Sequence, residues 1–274
     1  MGDGDEGGGM GISLTRADGA PVAEVVIDVP PVNALRARDW SDLAEMITRA
    51  GRDPATRVVV LRAEGRGFCA GVDIKEIHAT PGSGALIGAN RGCYAAFAAV
   101  YECEVPVVAA VQGFCLGGGV GLVGNADIVV ASDDATFGLP EVDRGALGAA
   151  THLARLVPQH LTRAMVYTCR TATAQDLAQY GSVLALAPRY RLRETALEVA
   201  SEIAAKDPVV IRCAKEALNG IDPVDVRRSY RFEQGFTYEL NLTGASDALR
   251  EAFVTKGSGK ADGAVDPAQP DGGQ

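Results

Sequence analysis

Glu141 is presented by a Leu139-Pro140-Glu141 turn, downstream of an unbroken glycine run, Gly117-Gly118-Gly119. Those residue types can do acid–base chemistry on a carbon whose neighbouring oxygen turns negative. A glycine run that opens a helix leaves backbone N–H groups bare and reachable. With the positive end of the helix dipole, they can hold an oxygen that gains charge during a reaction. A carboxylate nearby can then take up or return a proton. Each piece alone has a plain structural reading. Pro140 at a first helical position and Glu141 in the first turn make an ordinary helix start, and three glycines permit close packing on a strand. The weight lies in their order, behind a second glycine-punctuated loop from Gly65 to Gly71.

Strands and helices must position these groups. Val107–Val111 and Asp127–Ala131 are unbroken apolar runs, as is Val58–Leu61; such runs predict strands buried on both faces. A small-residue helix fits between the first two. Ile12–Thr15 and Val22–Val29 predict a hairpin around Asp18-Gly19. Trp40, Leu43 and Ile47 recur at helical spacing within Arg38–Arg49, with Ala50 next in the series, and Cys93, Phe97 and Val100 do so within Leu86–Tyr101. After the central stretch, helices are expected over Ala149–Leu156, Leu161–Thr168 and Ala174–Gln179, then a short strand over Val183–Leu186. Helices over Leu192–Ala205, Val209–Leu218 and Val224–Leu240 follow. The alternation stops there, so the last third reads as a helical layer.

The 274 residues are 47% hydrophobic and 5% aromatic, which suits a large α/β protein with an aliphatic core. A net charge of −9 argues against sequence-independent nucleic-acid binding. No run is long enough for a membrane helix, and no basic-then-apolar leader is visible, so the expectation is a cytoplasmic protein. The six cysteines form no CxxC pair and read as reduced core residues, with no metal site. Residues 1–10 and 256–274 are low-complexity and are expected to be disordered tails.

Gly119-Val120-Gly121-Leu122-Val123-Gly124 matches a dinucleotide fingerprint, but the next strand starts almost at once and leaves no room for its crossover helix. Nucleophile-elbow and P-loop patterns are absent.

Two segments together, Arg66–Glu76 (RGFCAGVDIKE) and Val105–Gly148 (VPVVAAVQGFCLGGG, NADIVVAS, TFGLPEVDRGALG), resemble the crotonase, or enoyl-CoA hydratase/isomerase, superfamily. The likeness extends from about Ile12 to Val254. It implies an α/β fold built as a spiral of ββα units (11–190) with a C-terminal helical trimerisation region (191–255). It also implies an acyl-CoA thioester substrate, with coenzyme A arriving as part of that substrate and no permanently bound cofactor. The resemblance gives Glu141 the role of catalytic base and Val72 and Gly118 that of oxyanion hole. It puts Ala34, Arg36, Ala70, Asp73, Ile74, Gly117, Gly121 and Pro140 at the substrate or CoA. Asn33 and Leu35 flank the pantetheine channel, and Arg62, Arg66 and Lys75 are further candidates for the CoA phosphates.

One departure matters. Hydratases of the family carry two glutamates, and the first position is Gly121 here, so ordinary two-carboxylate hydration is not expected. His152 stands where hydratases have a glutamine and is expected to alter the pocket wall. The runs FGLPEVDRGALGAATHLARLVPQHL and YRFEQGFTYELNL are similar to the bacterial crotonases that open the last rings of the sterol nucleus as a bicyclic dione CoA ester. Other readings compatible with one carboxylate are a Δ3,Δ2-enoyl-CoA isomerase, another enoyl-CoA hydratase-type enzyme, and a non-catalytic acyl-CoA binder. The family implies a homotrimer or a dimer of trimers. Tyr230, Phe232, Phe236 and Tyr238 are too close together for one face of a helix, so both faces of that helix should find apolar partners.

Overall fold

Residues 10–258 are described by a computed structural model of the chain. The expected tails at 1–9 and 259–274 lie outside them. Residues 256–258 complete the last helix, so the structured part runs past the boundary drawn at 256.

The chain begins with β1 (Gly11–Thr15) and β2 (Val22–Asp28), antiparallel with Leu14 opposite Val25. A two-residue strand β3 (Ala34–Leu35) leads into α1 (Ala37–Arg52), then β4 (Val58–Ala63), β5 (Gly71–Val72), α2 (Ile74–Ala79) and α3 (Gly84–Tyr101). The central stretch supplies β6 (Val107–Val111), β7 (Phe114–Leu116), α4 (Gly118–Val123), β8 (Ile128–Ser132) and β9 (Thr136–Gly138). A 3-10 turn at Val142–Arg144 follows, then α5 (Ala150–Leu153), α6 (Gln159–Thr168), β10 (Ala172–Thr173), α7 (Ala174–Gln179) and β11 (Ala185–Ala187). The rest is helical: α8 (Leu192–Ala204), α9 (Pro208–Ile221), α10 (Val226–Leu242) and α11 (Ala245–Ser258). Strands alternate with helices up to β11 and a helical region completes the described residues, the architecture expected from the family resemblance.

The main sheet has the order β1-β2-β4-β6-β8-β11 and is parallel from β2 onward. Its apolar runs divide by the two-residue period of a strand. Val59 and Leu61 of β4, with Val107, Ala109 and Val111 of β6, enter the larger core with Trp40, Leu43 and Ile47 of α1 and Phe97 of α3. Val58, Val60, Val108, Ala110 and Val130 point the other way, onto Ala196, Ala200 and Ala204 of α8. Covering both faces is why these strands show no polar alternation. The first C-terminal helix is thus the outer cover of the sheet, a helical layer packed on the first part of the chain.

Two small sheets, β3-β5 and β10-β9-β7, carry the loops that make the site. Asn33 holds them to the main body. It adopts a left-handed φ of 53°, its Oδ1 accepts from Val29 N at 2.7 Å, and its Nδ2 donates to the carbonyls of Glu64 and Gly67, both at 2.9 Å. All six cysteines are free thiols. Four are buried, but Cys169 is half-buried and Cys213 is exposed, so the expectation that all six belong to the core is corrected for these two.

Candidate active site

A cleft lies between the β5–α2 corner, α3, the turn after β9 and the C-terminal helices. Val72, Gly118, Glu141, Asn90, Cys93 and Tyr230 line its inner end.

The glycines make this end possible. Gly71 has a φ of 89°, and the space where its Cβ would stand is taken by Gly118 N at 3.2 Å and Leu116 O at 3.2 Å. Backbone therefore meets backbone where the β5 corner crosses the glycine run. Gly118 is the first residue of α4, so its N–H has no partner inside the helix. Asp73 N donates to Leu35 O at 2.8 Å, fixing the ladder between β3 and β5. Val72 lies opposite Leu35 in that parallel ladder and so points its own N–H away from β3. Two backbone donors are thus offered from adjoining loops.

Glu141 reaches the cleft from the turn after β9. Its carbonyl accepts from Arg144 N at 2.9 Å and Ala146 N at 3.0 Å, which winds the turn tightly. A Cβ on Gly117 would collide with Glu141 Oε1, so only glycine leaves room for the carboxylate there. Oε2 is buried without a hydrogen-bond partner among the described residues. Burial pushes the Glu141 pKa up to about 7, with the Arg144 charge pulling it down and the Glu233 charge pushing it up. A carboxylate poised there is suited to general-base work near neutral pH. Burial also pushes the Cys93 thiol well above its ordinary value, which makes it a poor nucleophile.

The other residues expected from sequence divide into two groups. Ala70 and Ile74 line the cleft. Ala34 pairs with Gly71 directly behind it, and Pro140 precedes Glu141. Asp73 caps α2, accepting from Lys75 N at 2.9 Å. The guanidinium of Arg36 is bonded to the Asp39 carboxylate at 3.0 and 3.2 Å. Arg62 is elsewhere, paired with Glu24 and Glu64 in a depression shared with Arg189 and Arg193. Arg66 and Lys75 are exposed. Gly121 is buried in the core side of α4 against the ring of Phe97 and does not line the cleft, which corrects its place among substrate-contacting residues. His152 does not line it either. Its ring lies 4.9 Å from Phe97 and 5.0 Å from Tyr230, so the imidazole meets the cleft wall through Tyr230. Burial, with the Arg155 charge, lowers its pKa to about 3, and it stays neutral.

Several residues of the cleft were not singled out from sequence. Asn90 offers a buried Nδ2 with no partner among the described residues. Arg144 lies over the Phe253 ring at 4.5 Å. Thr237, Asn241 and Arg250 come from α10 and α11. The second of these helices was not foreseen, and Arg144 had a signal only in standing one 3-10 turn beyond Glu141. Among the described residues no group of His, Cys, Asp and Glu could hold a metal ion, and no helix is long and apolar enough to cross a membrane.

Residues 17–256 match the family described as Enoyl-CoA hydratase/isomerase. A protein of Rhodococcus jostii, named (7aS)-7a-methyl-1,5-dioxo-2,3,5,6,7,7a-hexahydro-1H-indene-carboxyl-CoA hydrolase, is 65% identical over 90% of this chain and 96% of its own length. The Mycobacterium tuberculosis protein of the same name is 62% identical over 90% of this chain and 100% of its own. A crystal structure of an enoyl-CoA hydratase/isomerase from Xanthobacter autotrophicus superposes with a TM-score of 0.80 at 26% identity, covering 90% of this chain and 93% of that one. The chain belongs to the enoyl-CoA hydratase/isomerase family.

Proposed function

We propose that this chain hydrolyses a carbon–carbon bond in a steroid-derived bicyclic dione CoA thioester, opening the ring beside a ketone. The observation that carries the reading is Glu141, the one carboxylate lining the cleft among the described residues, desolvated and poised near neutrality beside the N–H groups of Val72 and Gly118. The two relatives named for hydrolysis of such a thioester support the substrate class.

In this reading the thioester oxygen sits between the N–H groups of Val72 and Gly118, and the CoA moiety runs past Ala70 to Ile74, with Ala34 behind them. Glu141 takes a proton from water as the water oxygen bonds to the ketone carbon. The carbon–carbon bond then breaks, and its electron pair passes into the thioester as an enolate held by the two N–H groups. Glu141 returns its proton to carbon. Gly117 and Pro140 act by giving Glu141 its space and its approach. One carboxylate suffices because the water is added to a carbonyl and the leaving carbanion is stabilised by backbone.

The same reading makes the protein a homotrimer or a pair of trimers, working in the cytoplasm with no nucleic-acid or membrane partner. Six free cysteines suit a reducing compartment. On α10, Phe232 is 71% exposed and packs edge-on against Phe236 at 5.1 Å, an apolar patch fit for a neighbouring copy.

The test is incubation of the purified protein with the bicyclic dione CoA ester, followed by mass spectrometry. Gain of one water with ring opening, lost in Glu141→Gln, is the expected result. Turnover of straight-chain 3-enoyl-CoA with none of the ring substrate makes it an isomerase. Tight binding of CoA esters with no turnover makes it a binding protein.

A further inference from the structure

Arg144 is a cation in the cleft that feels the charges of Glu141 and Asp143 without contacting either. Its guanidinium makes no ion pair or side-chain hydrogen bond among the described residues, and its Cζ lies over the Phe253 ring, 4.5 Å from the centroid. The other arginine of the cleft, Arg250, is committed to Asp247 and Asn241. A cation–π contact with a ring face uses none of the N–H donors of a guanidinium as hydrogen bonds, so they stay available to a planar acceptor. A half-buried charge without a partner is costly, and burial draws its pKa below that of a free guanidinium.

Its position relative to Glu141 is set by the backbone. Side chains three residues apart in a 3-10 turn project from the same side. Glu141 and Arg144 stand at that spacing, with Arg144 N bonded to Glu141 O, and both line the cleft. Yet they do not pair. Gly145, at a left-handed φ of 66°, ends the turn with its carbonyl bonded to Ser246 Oγ, so α11 locks the turn and brings Phe253 beneath Arg144.

We infer that Arg144 binds the oxygens of the ketone carbon that water attacks: first the alkoxide, then the carboxylate left when the ring opens. This rests on the hydrolytic reading above. Attack converts the ketone oxygen to an alkoxide as Glu141 accepts the water proton. Collapse re-forms the carbonyl as a carboxylic acid while the carbon–carbon pair leaves into the thioester enolate. Glu141 protonates the carbanion, and the new acid releases its proton to solvent. The acyl group enters the cleft with no anionic group and leaves it as a carboxylate, so two oxyanions form at separate places. The backbone N–H pair serves only the thioester oxygen, and the second site needs a donor of its own. A bidentate guanidinium matches a carboxylate in shape and charge.

The experiment compares wild type, Arg144→Gln and Arg144→Lys on the bicyclic dione CoA ester. It also measures binding of the ring-opened product, and of a saturated straight-chain acyl-CoA, to Glu141→Gln and to Glu141→Gln/Arg144→Gln by calorimetry. Arg144→Gln is expected to lower kcat by roughly 100-fold, as loss of one oxyanion donor does. Arg144→Lys should recover part of that, since it restores charge but not the fork. Product affinity should fall at least about tenfold in the double variant, with the straight-chain ester bound equally by both proteins. The equal straight-chain binding shows that the cleft is intact. Ring opening by wild type with unchanged kcat and product affinity in the Arg144 variants overturns the inference and leaves the hydrolase reading standing. Failure of wild type to open the ring removes both.

Discussion

The ring of Phe97 fills the space that a side chain on Gly121 would need: a Cβ built there runs into three of its carbons. Phe97 cannot easily move away, because Trp40 packs edge-on against it at 5.8 Å and Tyr230 lies 5.0 Å from it on another side. The lack of a second carboxylate is thus a property of the packing as well as of one residue. Gly121→Glu is expected to confer no hydratase activity on a straight-chain 2-enoyl-CoA and to destabilise the protein by about 1–3 kcal/mol, the usual cost of overpacking. Gain of hydration with an unchanged melting temperature counts against this account.

In the proposed mechanism Glu141 links activity and stability with opposite signs. Its folded pKa of about 7 lies above the ordinary carboxyl value of 4.5, so the fold favours the protonated form. That stabilising contribution is fully present below the unfolded value and is lost as pH rises through about 7, with a ceiling of about 3 kcal/mol. The base must be ionised to act, so kcat/KM of wild type should climb through the same range. Glu141→Gln should lose at least roughly 10²–10⁴-fold in activity. It should also melt above wild type near about pH 8, the gap closing toward about pH 5. Parallel melting curves for the two proteins across that range contradict the assignment.

Lys215 is 4% exposed and places Nζ 2.8 and 2.7 Å from the two carboxylate oxygens of Asp127. The second oxygen also accepts from Val107 N at 2.7 Å. The pair fastens α9 to the start of β6, while Val209, Val210, Leu218 and Ile221 on that helix face outward. Lys215→Ala leaves the carboxylate without its counter-charge and should cost about 3–5 kcal/mol in denaturant unfolding. Adding Asp127→Ala should recover part of that loss; strictly additive effects argue that the ion pair is not coupled.

Replacing Phe232 and Phe236 together by serine should shift the oligomer to monomer near 28.4 kDa in light scattering. Truncating aromatic anchors at an interface centre commonly costs about 2 kcal/mol or more each. A wild type that is already monomeric at micromolar concentration ends the trimer proposal.

Much of the sheet is legible in the sequence, because strands covered on both faces leave runs such as Val58–Leu61 and Val107–Val111. The aromatic crowding on α10 also resolves as two faces: Tyr230 turns inward to Phe97 and His152, while Phe232 and Phe236 turn out. Strands β7, β9 and β10 leave no such trace, since two or three residues show no period. Glu141 is visible through its Pro-Glu turn and the glycine run. Arg144 is not, since its meaning comes from Phe253, far along the chain, and from the absence of a carboxylate that only the folded turn can show. His152 is conspicuous as a residue type, but its burial behind Phe97 removes it from the cleft.

Glu233 has a consequence for how the protein comes into being. From α10 it accepts hydrogen bonds from Ala150 N, Thr151 N and Thr151 Oγ1, supplying the acceptors that the start of α5 lacks locally. Ribosomes deliver the chain from the N-terminus, and its earlier segments can begin to fold while later ones are still being added. The sheet strands are complete once β11 has emerged, but α5 waits for α10 to cap it. The turn carrying Glu141 and Arg144 waits longer still, for Ser246 and Phe253. The end of the cleft proposed to be reactive is therefore among the last parts of the nascent protein to gain all its contacts, so a half-made chain carries its glycine run before the Glu141 turn is held in place.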